Sequence, residues 1–304
     1  MTAIIFRGIG RGIGTLFGVE PKPADELLEE KINKALAEER EKIIPSKDGI
    51  ELFSWITKDN NPIHRIPKIA REMGFEDTPL MGAHVAAYGE QFIEGVVQHM
   101  REYWGADIKV VGQDNKFVKP LYPEERTLWQ VSGHKIVDGG IDLTVTGNVK
   151  DKRVIGITSH LGKNYFLMPQ LAGPIFSQRY FLHDGHLDSF SNCIGGKNNG
   201  KVLNMLQSAF VPATLLRLLE EKTQTVEGIN KSMNFRFISE AKPGKLQVDI
   251  FPPNEPEEVR IKDREGQRKV MYMHEFKAVV SQDTKPLSYG EITSLAPRKI
   301  DFSI

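Results

Sequence analysis

The spacing of apolar residues changes character several times along this chain. From Ser46 onward Ile50, Phe53 and Ile56 recur at helical intervals, and the Ser46 hydroxyl stands where it can cap the first turn. A polar interruption, DNNPIHRI, follows at 59–66, and Pro67 is placed to open a second short helix, where its missing N–H costs nothing. A long helix is predicted from about Gly82 to about Tyr103, with Ala83, Ala86, Ala87, Phe92, Val96 and Val97 on one face. The small side chains at its start would let a sheet wrap it closely. Beyond it come alternating or β-branched runs, IKVVG, NKFV, TLWQVSGHKIV, IDLTVTGNV and VIGITSHL, punctuated by turns such as the DGG at 138–140. The predicted order is helix, loop, long helix, then an antiparallel meander.

That order returns in the second half. HDGHLDSFSNCIGG predicts a capped short helix and LNMLQSAFVPATLLRLLEE a long one, followed by strands in NFRFI, KLQVDIF, RKVMYMHEFKAVV and a last apolar stretch before Pro297. FVKPLYPEE at 117–125 aligns with FISEAKPGK at 237–245 at an offset of 120, and AHVAA at 83–87 matches AFVPA at 209–213. These matches occur in order, which reads as an internal duplication. The run PPNEPEEVRIKDREGQRK at 252–269 predicts a polar hairpin or loop without chemistry.

Composition narrows the function. The chain's 304 residues can bury a large core, and 40 basic against 40 acidic side chains leave no global field to gather nucleic acid. A single cysteine, Cys193, excludes an internal disulfide and a thiolate-rich metal site, and points to a reducing, cytoplasmic compartment. No run approaches the roughly 20 apolar residues of a membrane span. The first nineteen residues carry two arginines and no acid, as transit peptides do, but five glycines work against an amphipathic helix. They read as a glycine-rich arm leading into a charged surface helix over 21–43, with Leu27, Leu28, Ile32 and Leu36 on one stripe.

The densest chemistry lies in DNNPIH. A carboxylate, Asp59, and an imidazole, His64, five positions apart on a loop bent by Pro62, can both reach one water, and apolar neighbours would tune their proton affinities. Asn61 suits fixing the loop through its own backbone. The bland alternative is that Asp59 merely caps the turn at Asn61 or Pro62 while His64 packs in the core.

Asp59, Asn60, Asn61, Pro62, Ile63, His64 and, after RIPKI, Ala70 match every fixed position of a motif, so this segment resembles the MaoC-like hydratases and R-specific enoyl-CoA hydratases. The resemblance covers roughly 46–165 through the motif and 174–297 through architecture. It implies an α+β double hot-dog fold: an N-terminal arm and helix over 1–45, a catalytic repeat over 46–165 and a degenerate, non-catalytic repeat over 174–297 that supplies the acyl tunnel. It also implies a hydro-lyase that reversibly hydrates a trans-2-enoyl thioester to a 3-hydroxyacyl thioester, with Asp59 and His64 as the catalytic pair and no cofactor. The base is not assigned between them. The thioester would be carried on CoA or on an acyl carrier protein.

The family usually places a proline, then His-Gly three residues later, at the start of the central helix, where a backbone N–H meets the thioester oxygen. Here the segment is Pro79-Leu80-Met81-Gly82-Ala83-His84, with glycine and histidine displaced and reversed. Gly82 remains the candidate oxyanion donor, ahead of His84. The altered segment also motivates a second reading, a non-catalytic acyl-CoA or lipid binder.

Other features carry weaker signals. Gly8, Gly12 and Gly14 have the spacing of a short-chain dehydrogenase turn, but a charged helix pattern follows instead of a βαβ unit, and no tyrosine-x-x-x-lysine pair occurs. His183 and His186 have a metal-site spacing without a third ligand nearby, so no metal is expected. Cys193 reads as a small buried hydrophobe, and Asn198 and Asn199 as a turn. Lys116, Lys119 and Arg236 could meet carrier phosphates or simply be solvated. One chain holding both halves needs no partner for an active site, though a homodimer stays open.

Overall fold

The computed structural model describes residues 29–302 other than 31, 35, 37–38, 105–106, 164–165, 167, 195–203, 224–228 and 263–267. The glycine arm, Leu27, Leu28 and the Asn198–Asn199 pair therefore lie outside the described residues, as does the Cys193 side chain. Strand β1 (Arg40–Ile43) precedes helix α1 (Lys47–Thr57), a 3-10 turn (Pro62–His64), α2 (Pro67–Glu72) and the long α3 (Gly82–Trp104). Strands β2 (Lys109–Phe117), β3 (Thr127–Val137), β4 (Gly140–Val149) and β5 (Lys152–Gly162) complete the first half. The second half holds β6 (Phe176–Leu182), α4 (Asp184–Ile194), α5 (Asn204–Ser208), α6 (Phe210–Thr223), β7 (Ile229–Phe237), β8 (Gly244–Phe251), β9 (Glu257–Lys262), β10 (Arg268–Gln282) and β11 (Lys285–Ala296). Among the described residues no helix is long and apolar enough to cross a membrane.

All described strands join one antiparallel sheet in the order β1-β3-β4-β5-β2-β7-β11-β10-β8-β6, with β9 beside β10. Apart from β9 the order is a palindrome, each half ending at the central β2–β7 pair. In that pair Asp114 faces Asn234, 120 residues later, the same offset that aligned Phe117 with Phe237 in the sequence. A pseudo-two-fold axis therefore passes between those two residues. Each half wraps a helix. In α3, Ala83, Ala86 and Ala87 are buried, and a Cβ on Gly89 would stand 2.2 Å from Ile157 Cδ1 and 2.9 Å from Trp129, so the sheet closes on a helix face with no room for a side chain there.

Three expectations change. The predicted long helix of the second half divides into α5 and α6, because Pro212 has no N–H to donate to the Ser208 carbonyl and its ring would collide with it. The charged helix pattern stops short of residue 43: residues 40–43 pair with β3 as β1, burying Ile43, and edge pairing overrides helix propensity. The strands are not a simple meander either, since β2 passes over to the far side of β5 and there meets the second half. KVVG and NKF belong to that single β2, with Ile108 just before it, Val118 just after it and a register shift between Val110 and Gly112. The polar run at 252–269 does form a hairpin arm, β9 on β10.

Candidate active site

The DNNPIH loop is built by short-range hydrogen bonds that its own side chains dictate. Ser46 Oγ accepts from Gly49 N at 3.0 Å and starts α1, which ends where Lys58 adopts a left-handed conformation (φ 61°). The chain then turns on two successive Asx contacts. Asp59 Oδ1 accepts from Asn61 N at 3.1 Å, and Asn61 Oδ1 accepts from Ile63 N at 3.2 Å, capping the 3-10 turn that Pro62 opens. Ser54 Oγ donates to the Asp59 carbonyl from inside α1, tying the loop to the helix before it.

His64 leaves this turn towards the start of α3. Its Nδ1 lies 2.8 Å from the Pro79 carbonyl oxygen, which can only accept, so Nδ1 carries the proton and the Nε2 lone pair is available. Burial lowers the His64 pKa, outweighing the Asp59 charge and the Pro79 carbonyl, which both push it up. The ring is therefore neutral at pH 7. Asp59 is buried, and its Oδ2 meets no protein donor among the described residues.

Both side chains line one cavity of about 270 Å³. Its walls come from both halves of the molecule: Phe75, Val85 and Leu121 on one side, and Leu215, Leu216 and Leu219 of α6 on the other. Gly82 and Ala83, the first residues of α3, also line it. The first intrahelical bond there runs from Val85 N to the Met81 carbonyl at 3.0 Å, so the N–H groups of Gly82 and Ala83 have no carbonyl one turn back to receive them, and the positive helix end faces the cavity. Phe117 approaches Gly82 closely: its Cζ would lie 2.9 Å from an added Cβ, so a side chain there would push the ring aside. Lys119 and Lys231, both exposed, stand where the cavity meets the surface.

Asp59, Asn61, His64 and Gly82 thus line a single cavity. Asp59 does cap the turn, as the bland reading held, while also facing the cavity; His64 is half-buried and is not packed in the core. His84 is the core histidine: fully buried, it stacks between Phe53 at 4.4 Å and Tyr88 at 4.9 Å and does not line the cavity. Arg236 is bound to Asp114 on the sheet and is not available to a phosphate, and Lys116 lies away from the cavity. His183 and His186 gather no third ligand; among the described residues no group of three metal-ligating side chains exists. Sequence reasoning missed Ser54, the Pro79 carbonyl and the α6 leucines. Only Pro79 left a trace, as the proline of the helix-start segment.

No family model and no curated protein matches the chain by sequence. Among solved structures it is similar to a MaoC-like dehydratase, with a TM-score of 0.53 and 11% identity over 87% of this chain and 99% of that one. It is also similar to a MaoC-like dehydratase from Phytophthora capsici (TM-score 0.56, 12% identity, 86% of this chain and 96% of that one). A third is a Mycobacterium tuberculosis protein described as a double hot-dog (TM-score 0.56, 9% identity, 84% of this chain and 93% of that one). At these identities the likeness establishes the fold, α+β of the double hot-dog type, and the reaction has to be argued from the site.

Proposed function

Given a double hot-dog body with an acid–imidazole pair facing an apolar cavity, we propose that the chain is a hydro-lyase acting on acyl thioesters, adding water reversibly to a trans-2-enoyl thioester to give the 3-hydroxyacyl thioester. The observation that carries this reading is the convergence of Asp59, His64 and the amide end of α3 on one apolar cavity. A water held between the Asp59 carboxylate and His64 Nε2 loses a proton to one of them as its oxygen bonds to C3. The electron pair of the double bond moves towards the thioester, whose oxygen takes negative charge opposite the N–H groups of Gly82 and Ala83. The enolate then collapses and C2 takes a proton back from the pair, so the sum is one water added. The neutral ring with Nδ1 held by Pro79 favours His64 Nε2 as the base, with Asp59 orienting the water and stabilising the imidazolium. In this reading the 46–165 repeat performs the chemistry and the 174–297 repeat lends α6 as a tunnel wall, so no second chain is needed. The acyl group arrives on CoA or on a carrier protein.

The test is the loss of enoyl absorbance with crotonyl-CoA. We expect turnover by the wild type and a fall of at least about 10²-fold in Asp59→Asn and in His64→Ala. Equal rates in all three proteins would refute the assignment. The altered helix start, with His84 turned into the core, supports a second reading in which the same cavity binds acyl thioesters without converting them. That reading predicts binding without turnover, unchanged in both variants.

A further inference from the structure

A second and larger cavity has a volume of about 690 Å³. The two share walls: Asp59 and Leu216 line the first, while their neighbours Lys58 and Arg217 line the second. Its floor and sides are the C-terminal end of α1, strand β6, the start of α4 and α6. Three full cations, Lys58, Arg179 and Arg217, contribute to its lining, together with His183 and His186, and among the described residues no acidic side chain does. None of the three cations is engaged in an ion pair among the described residues. Gly185, in the first turn of the 11-residue α4, opens the positive end of that helix onto the same space. Burial first, then the charges of His183 and Lys58, hold the His186 pKa below the ordinary histidine value.

Unpaired cations gathered in a concavity ask for an anion, and the rest of the lining says which kind. Trp55 is 55% and Phe181 49% exposed, unusual for side chains so large, and both stand on this cavity. Their faces already meet cations or imidazoles: Lys58 Nζ lies 5.0 Å from the centre of the Trp55 ring, and His183 lies 4.4 Å from Phe181 between centroids. Flat apolar faces beside a cluster of cations match a planar base joined to phosphate. We propose that this second cavity is a nucleotide site, with Lys58, Arg179 and Arg217 holding the phosphates and Trp55 and Phe181 flanking the base.

The nucleotide could be the tail of a CoA-borne substrate or a free effector; the chemistry recognised is the same. Calorimetric titration of the full chain with ADP needs no turnover, so its outcome is separate from that of the hydratase reading. ADP should bind, and Arg179→Ala, at an exposed strand position, should weaken it on the order of tenfold or more, as should Arg217→Gln. Trp55→Ala should weaken ADP while leaving inorganic phosphate unaffected. Circular dichroism of each variant checks that the fold persists. If Arg179→Ala also raises KM for crotonyl-CoA while crotonyl-pantetheine is unaffected, the ligand is the substrate's own tail; if ADP binding persists under saturating CoA, it is a free nucleotide. No binding at millimolar ADP, or equal affinity in the folded Arg179 and Arg217 variants, overturns the proposal.

Discussion

A histidine held at one nitrogen is a different reagent from a free one. Because the Pro79 carbonyl fixes the Nδ1 proton and burial depresses the pKa, His64 stays a neutral acceptor at Nε2 to below the ordinary histidine range. The acid limb of kcat/KM should therefore fall below pH 6.5, the ordinary value, and the rate should be flat through neutrality. Asp59 is the larger of the two influences that raise this pKa, the Pro79 carbonyl being the other, so in Asp59→Asn the His64 pKa should fall further, read by NMR titration of the ring in a protein that need not be active. A rise would contradict the arrangement. At Gly82 the added methyl of alanine meets Phe117 Cζ at 2.9 Å, and the ring must move on the cavity wall beside the helix start. Gly82→Ala should lower kcat/KM on the order of tenfold with little change in melting temperature, because misplacement near reacting atoms costs more in rate than in stability. Asp59, Asn61 and His64 were legible because a tight loop sets its geometry through residues two and three apart. Ser54 and the Pro79 carbonyl were not, because the first acts through a helix and the second through a backbone atom that no side-chain pattern announces.

Among elements, the division between α5 and α6 was written in Pro212, but the apolar spacing on both sides hid it. What the sequence could not announce is how the start of α5 is satisfied. Glu90, on α3 of the other half and fully buried, accepts from Asn204 N at 2.9 Å and Met205 N at 2.7 Å, capping α5 across the molecule. Burial, reinforced by Glu94, raises its pKa to about 8 despite those two donors. The folded state therefore keeps a proton that the unfolded chain gives up above about pH 4.5, and stability must fall as pH rises from there to about 8. Glu90→Gln keeps one acceptor and cannot titrate. Chemical denaturation should show a lower stability for the variant at pH 5, by about 1–3 kcal/mol, and a weaker decline towards pH 8 than in the wild type. Parallel pH curves would show that Glu90 is ionised throughout.

At the level of the whole molecule, the 120-residue offset gave the duplication and, in the β2–β7 register, the position of its axis at Asp114 and Asn234. The crossing of β2 to that seam was hidden, because alternating strands look alike whichever neighbour they pair with. Around the axis a charged chain spans four adjacent strands. Asp142 Oδ1 lies 2.8 Å from His160 Nδ1, His160 Nε2 lies 3.0 Å from Asp114 Oδ2, and Arg236 binds both Asp114 oxygens from the other half. Asp114 is the largest influence raising the His160 pKa, burial opposes it, and Asp142 adds to the rise. A raised histidine pKa contributes stability that is full below the ordinary 6.5 and is lost as pH climbs through the higher folded value. Asp114 itself has a lowered pKa: burial pushes upward, but His160 and Arg236 together hold it down, so its contribution is present above the ordinary 3.8 and is lost only in acid. The seam should thus be tightest between those limits. Asp114→Asn removes the bidentate partner of Arg236 and the main partner of His160 at once. These groups are half-exposed and screened, so the expected loss is about 1–2 kcal/mol at pH 6. The wild-type advantage should shrink above neutrality as His160 discharges, leaving only the Arg236 share. Denaturation midpoints of both proteins from pH 5 to 9 measure it, and a difference that does not vary with pH would show that His160 is uncharged in the native seam.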